Sequence, residues 1–199
     1  MALTIRTGWL ALLLLVACAP REALVSRDAA VPADVDLSGN WVIRDAGEER
    51  RLREAIRRTD GVSDDELFRR PDAIQNSRDR RAADRRTKAG LVHVFIETGN
   101  SLKVTQTEHG LFISFDRSVV EEFRFGENRM VSVGEVEAQR VTGWEGDTLV
   151  VETLDRNRMK LTERFRLRDG GRVLERQIIL RSRDLEEETI VQLFDRVAS

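Results

Sequence analysis

The chain has 199 residues, with 33 Lys and Arg against 35 Asp and Glu and a formal charge of -2. So nearly neutral a protein has no basic surplus with which to neutralise phosphates, which excludes a broad nucleic-acid interface. With a single cysteine no internal disulfide can form, so the fold must be held by apolar burial, about 70% of the unfolded surface for a domain of this size.

The first elements in chain order are those of a leader. Residues 1–17 carry Arg6 as their only charge, an apolar run from Trp9 to Val16, and small Ala17 directly before Cys18. This is the order of a secretory signal, and the run is far short of the roughly 20 apolar residues that a helix needs to span a bilayer. The rival is ordinary cleavage after Ala17-Cys18-Ala19, but Pro20 would then follow the cut and hinder it. Leu15-Val16-Ala17-Cys18 resembles the lipobox of bacterial lipoproteins. That resemblance implies removal of residues 1–17, lipidation of Cys18 on its sulfur, and three acyl chains that hold the protein on a membrane. Loss of Arg6 would move the formal charge from -2 to -3. By the same resemblance, Ala19 in place of Asp implies the periplasmic face of the outer membrane.

Residues 18–35 contain Pro20, Pro32 and scattered alanines without any period, which predicts a flexible tether. The folded domain is expected over 36–199. Its first strand is Leu37 to Ile43, with Trp41 and Ile43 on one face. Over about 44–97 the pattern becomes densely charged and helical: Leu52, Ala55, Ile56 and Thr59 make one apolar stripe, and Leu67 with Phe68 another. Ser63 and Glu66 have capping-box spacing, and Pro71 would end that helix. Residues 91–96 combine β-branched content with Leu91, Val94 and Phe95 at helical spacing, and helix is the expectation.

After Asn100 alternation takes over. Leu102 and Val104, then Leu111, Ile113 and Phe115, make a hairpin around Glu108-His109-Gly110. Turns at Gly126-Glu127-Asn128, Glu145-Gly146-Asp147, Asp155-Arg156-Asn157 and Arg168-Asp169-Gly170-Gly171 punctuate the strands that follow. The fold expected is mainly β: an antiparallel meander of about eight or nine strands that closes on itself to remove its edges, with the charged helical insertion after the first strand.

Gly39-Asn40-Trp41 on the first strand resembles the Gly-x-Trp signature of lipocalins, and Asp195-Arg196 near the C-terminus resembles the arginine that packs over that tryptophan. The resemblance implies a lipocalin-like barrel in which Gly39, Trp41 and Arg196 close one end. Residues Gly143 to Thr153, followed by Leu161-Thr162-Glu163-Arg164-Phe165, are similar to a pattern in lipocalin-like proteins of the Gram-negative envelope. In that setting Trp144 is expected to be a packing residue at a hairpin end, and Glu163 with Arg164 a cross-strand or rim charge pair.

Chemistry is sparse. His93 and His109 sit in different elements, which excludes a histidine metal cluster. There is no Gly-x-Ser-x-Gly elbow, and Gly170-Gly171 opens no phosphate loop. No catalytic residue, metal ligand or cofactor is expected. Of the carboxylate pairs, Glu121 with Glu122, Glu135 with Glu137, and Glu186 through Glu188, only Glu135 and Glu137 share a strand face, and a role in glycan hydrolysis ranks last. Two functions lead: a non-enzymatic module binding a small apolar or amphipathic envelope molecule, and a scaffold docking an envelope protein. The expected partners are thus the membrane, through the acyl chains, and one of those two.

Overall fold

The computed structural model describes residues 22–59, 92–117, 119–134, 136–181 and 187–198. The signal segment, Cys18, and the expected helices around Ser63 to Lys88, with Leu67 and Phe68, lie outside these residues. The described strands are β1 (Gly39–Ile43), β2 (Ser101–Gln106), β3 (Gly110–Phe115), β4 (Val119–Arg124), β5 (Asn128–Val133), β6 (Val136–Glu145), β7 (Thr148–Asp155), β8 (Lys160–Arg168), β9 (Val173–Arg181) and β10 (Glu187–Val197), and the helix α1 spans Ala46–Thr59. They form one antiparallel sheet in the order β4-β3-β2-β1-β10-β9-β8-β7-β6-β5, curled into a half-barrel. The antiparallel meander with a helix after its first strand is as expected, with ten strands in place of eight or nine, and it curls without closing, since β4 and β5 remain unpaired edges. The additional turns have a physical reason to escape notice: Asp116 and Arg117 turn the chain at φ 45 and 61 without glycine, and Gly134 stands alone at φ 57.

Because strands alternate sides, the register fixes what fills the interior. Turns after β2, β4, β6 and β8 gather at one end, here called the floor, and those after β3, β5 and β7 gather at the other, the top. The floor is apolar: Trp41, Leu102, Val104, Leu111, Ile113, Phe123, Trp144, Phe165, Leu174 and Phe194 pack together. A second apolar layer at the top joins Leu161, Ile178, Leu180 and Ile190 to Leu52 and Ala55 of α1 and to Phe95 and Ile96.

Helix α1 is local chemistry joined to tertiary burial. Asp45 accepts the Gly47 amide at 2.7 Å, capping the first turn, and Glu48 and Glu49 lie at its positive end. Its Leu52 and Ala55 are completely buried, as the stripe predicts, and a buried leucine contributes about 1.5–3 kcal/mol. Of the helix expected over residues 91–96, Leu91 lies outside the described residues, and Val92–Phe95 form a single 3-10 turn that places Phe95 and Ile96 in the top layer.

The expected tether departs most from its composition. Residues 22–36 are seated on the barrel as a strap that runs from top to floor along the outer face of β6 and β7. Leu24 is buried with Val141 and Leu154, Arg27 pairs with Glu145 and, at 2.5 Å, with Glu152, and the Trp144 amide donates to the Asp28 carbonyl at 2.9 Å. Gly143 permits this approach, since a Cβ there would lie 2.4 Å from the Asp28 oxygen and 2.7 Å from the Arg27 Cβ. The strap then crosses the floor, where Val31 and Val35 pack and Gln106 donates to the Val35 carbonyl at 2.8 Å.

Candidate functional site

The residues singled out by their lipocalin resemblance come together at the floor. The Arg196 guanidinium lies 4.2 Å from the centroid of the Trp41 ring and donates to the carbonyls of Ser38 at 2.6 Å and Gly171 at 2.8 Å. Gly39 adopts φ +153, and a Cβ there would meet the Arg196 terminal nitrogen at 2.8 Å. The cluster is held by stacking and by hydrogen bonds from Nε and one terminal nitrogen of Arg196 to the protein's own carbonyls. Trp144 packs edge-on against Phe125 at 5.3 Å in the same layer. His109 is an exposed turn residue beside Glu108, and among the described residues no group of three or more His, Cys, Asp or Glu is arranged to hold a metal.

Glu163 and Arg164 are not a pair. They are neighbours on one strand and so face opposite ways: Arg164 reaches Glu145 outside at 2.6 Å, while Glu163 points inward. There it accepts two bonds from Arg176, the one from Nε at 2.9 Å. Arg176 is 1% exposed, donates also to the Glu97 carbonyl and to Gln192, and lies 5.0 Å and 5.8 Å from the rings of Phe115 and Phe165. Gln192 passes the chain on to Glu49 of α1 at 2.9 Å. A charged belt thus crosses the interior between the two apolar layers and fastens α1 to the barrel.

The second half of the belt meets the one seam in the sheet. β4 and β5 are its two edge strands. At the floor end the turn between them is tied in by bonds from the Phe125 amide to the His109 carbonyl and from the Gly126 amide to the Thr142 carbonyl. Toward the top, a cleft of about 360 Å³ lies between the edges, lined by Phe95, Val120, Glu121, Glu122, Arg129 to Val133 and Arg140. Arg140, 4% exposed, reaches this cleft from β6. Its Nε donates to Thr153 at 3.2 Å, one terminal nitrogen pairs with Glu121 at 3.0 Å, and its guanidinium lies 5.5 Å from the rings of both Phe95 and Phe123. The Arg140–Glu121 pair therefore clasps the seam with side chains where no backbone ladder does. Burial pushes the Glu121 carboxyl above its ordinary range; Arg140 opposes this, while the charges of Glu163 and Glu97 add to it.

What the site offers is a buried guanidinium fork at the inner end of a partly apolar cleft. Val119 and Val120 on one lip and Met130 and Val133 on the other are exposed. The interior charges lay outside the predicted site, although a signal existed. Arg140 is in phase with Ala138 and Trp144, Arg176 with Leu174 and Ile178, and Glu163 with Leu161 and Phe165, so three strands each carry a charge on their apolar face.

Among the described residues the protein is mainly β, a ten-stranded antiparallel sheet curled into a half-barrel with helix α1 after the first strand. No protein-family model and no curated protein matches the chain. Among solved structures, lipid binding protein 8 of Caenorhabditis elegans in its apo form is similar over 84% of this chain and 99% of its own at 11% identity, TM-score 0.48. Secretory abundant heat soluble protein 4 of Ramazzottius varieornatus is similar over 84% and 98% at 12% identity, TM-score 0.47. A Schistosoma mansoni fatty acid binding protein in complex with arachidonic acid is similar over 84% and 100% at 9% identity, TM-score 0.46.

Proposed function

We propose that the protein is a non-catalytic binding module, anchored by lipid on Cys18 at the periplasmic face of the outer membrane, that holds a small amphipathic molecule carrying an acidic headgroup in the seam between β4 and β5. The observation that carries the assignment is the position of Arg140. A guanidinium recognises carboxylate or phosphate bidentately, and this one lines a cleft of mixed apolar and charged side chains, at a volume within the roughly 300–1,000 Å³ typical of small-molecule sites. The central barrel is a poorer seat, because the floor layer, the charged belt and α1 fill it with side chains. Glu121 is the internal stand-in for a ligand's acid, occupying part of the fork until one arrives.

Native mass spectrometry of the protein made with its own leader in a Gram-negative host is expected to show one small acidic molecule bound per chain. After delipidation, dodecanoate should saturate at one equivalent in a calorimetric titration, dodecanol should bind more weakly, and Val131→Trp should abolish both by filling the cleft. A folded protein that binds neither dodecanoate nor any copurifying molecule would overturn the assignment. A single protein crosslinked to it in cells, with an empty cleft, would favour a scaffold instead. Cys18→Ser tests the anchor separately and should move the protein from the membrane to the soluble fraction.

A further inference from the structure

The strap has a direction, and that direction bears on where the cleft opens. Glu22, its first described residue, pairs with Arg181 at 2.5 Å, and Arg181 is the last residue of β9, at the top end. From there the strap descends, with Leu24 and Arg27 on the wall and Asp28 bridged to Trp144 at the floor. It runs beside β5, whose Asn128 side chain donates to the Leu24 carbonyl at 3.4 Å. The chain therefore enters the barrel at the top, on the wall of β8 and β9, and crosses toward β5 only as it descends. The cleft lies toward that same end, because the 125–127 turn ties its other end at the floor.

We infer that the strap orients the barrel so that the mouth of the β4–β5 cleft faces the lipid leaflet holding the anchor, and that the exposed lips of the cleft dip into it. The inference rests on the anchored, cleft-binding function proposed above. Cys18 lies four residues before Glu22 in the sequence, which at full extension spans no more than about 14 Å. With residues 22–36 docked, no slack remains for the barrel to tumble away from the leaflet or invert on it. The lips supply the apolar contact. Val120 is 65% exposed, Met130 59% and Val133 43%, beside a seam of unpaired strand edges. On the opposite end, the β6–β7 and β8–β9 turns present Asp147 and Asp169. A lipid could then pass between leaflet and cleft without its chain crossing water.

The test uses the acylated full chain in vesicles of phosphatidylethanolamine and phosphatidylglycerol containing lipids spin-labelled along the acyl chain. An environment-sensitive fluorophore is attached to V120C, V133C or, at the floor, D147C. The lip probes are expected to be quenched severalfold more than the floor probe. Gly143→Val, which blocks the strap's seat, is expected to erase that difference while the protein stays on the vesicles; if this variant misfolds, Arg27→Ala with Leu24→Ala serves in its place. Equal quenching of lip and floor probes in the parent protein, or stronger quenching at Asp147, would overturn the orientation. Failure of the acylated parent to float with vesicles would overturn the anchor instead, and failure of dodecanoate to bind would overturn the cleft assignment.

Discussion

Replacing Arg176 with Met keeps the unbranched apolar stem and removes the guanidinium with its charge and donors, so it tests the value of the buried belt. In the native protein Arg176 gives two bonds to Glu163 and one each to Gln192 and the Glu97 carbonyl. The thioether restores part of the contact that the guanidinium makes with Phe115 and Phe165. The loss is therefore concentrated at Glu163, 3% exposed and left as a buried charge with no partner; breaking such a pair costs about 3–5 kcal/mol. With a urea slope of about 2 kcal/mol/M, a loss near 4 kcal/mol lowers the unfolding midpoint by about 2 M. The double variant Arg176→Met, Glu163→Leu should recover most of this, because an apolar pair of similar volume often replaces a buried ion pair at little or no cost. Urea unfolding followed by the fluorescence of Trp41 and Trp144 measures all arms of the cycle. A single Arg176→Met variant within about 1 kcal/mol of the parent, or a double variant worse than the sum of the two singles, would refute the electrostatic account of the belt.

Glu121 should make the fold less stable as pH rises: its folded carboxyl titrates above its ordinary value of 4.5, so from that value upward the unfolded chain releases the proton first, and stability falls until the folded carboxyl has ionised as well. Glu121→Gln should flatten this part of the curve of urea midpoint against pH; an unchanged curve would exclude Glu121 as its source. The strap behaves oppositely. Burial raises the Glu152 carboxyl, but bonds from Lys160 and Arg27 outweigh it and leave the group lowered, so its contribution is present above 4.5 and is lost as pH falls through the folded value; protease sensitivity within 22–31 should rise in acid, and a flat profile would count against the clamp. Gly143→Val should expose the same segment at neutral pH and cost about 1–3 kcal/mol through overpacking, read as faster cleavage and a lower Tm. Arg196→Ala should cost about 1–2 kcal/mol, from an exposed cation–ring contact and hydrogen bonds to two carbonyls, and a Tm unchanged within error would show the stack to be incidental.

The parts of the fold that could be read in advance are those where one physical signal dominates. Alternation located the β2–β3 hairpin, and Gly-rich or Asp-Gly turns located the joins of β6 to β7 and β8 to β9. Helical spacing gave the buried stripe of α1. Where glycine was absent, as at Asp116 and Arg117, the turn was invisible and the strand count came out low. The strap escaped for a different reason. Its composition is that of a linker, and its order comes from places more than a hundred residues away: the hole beside Val141, the bare backbone at Gly143, the carboxylates of Glu145 and Glu152. Local pattern cannot register such partners. At the seam, Glu121 and Arg140 were visible as charges, but their meeting depends on which two strands end up as edges, and that is a property of the whole sheet.

The strap and β1 also constrain the order in which the molecule can be made. Arg27 waits for partners 118 and 125 positions downstream, and Asn40 pairs with Val197, almost the last residue of the chain. A polypeptide made from its N-terminus cannot zip this sheet progressively, since the first strand has no neighbour on one side until β10 has been made. Closure of such distant ends is slow compared with local pairing. The half of the sheet built from β5 to β9 can pair with its sequence neighbours first, and β1 gains its second neighbour only when β10 docks.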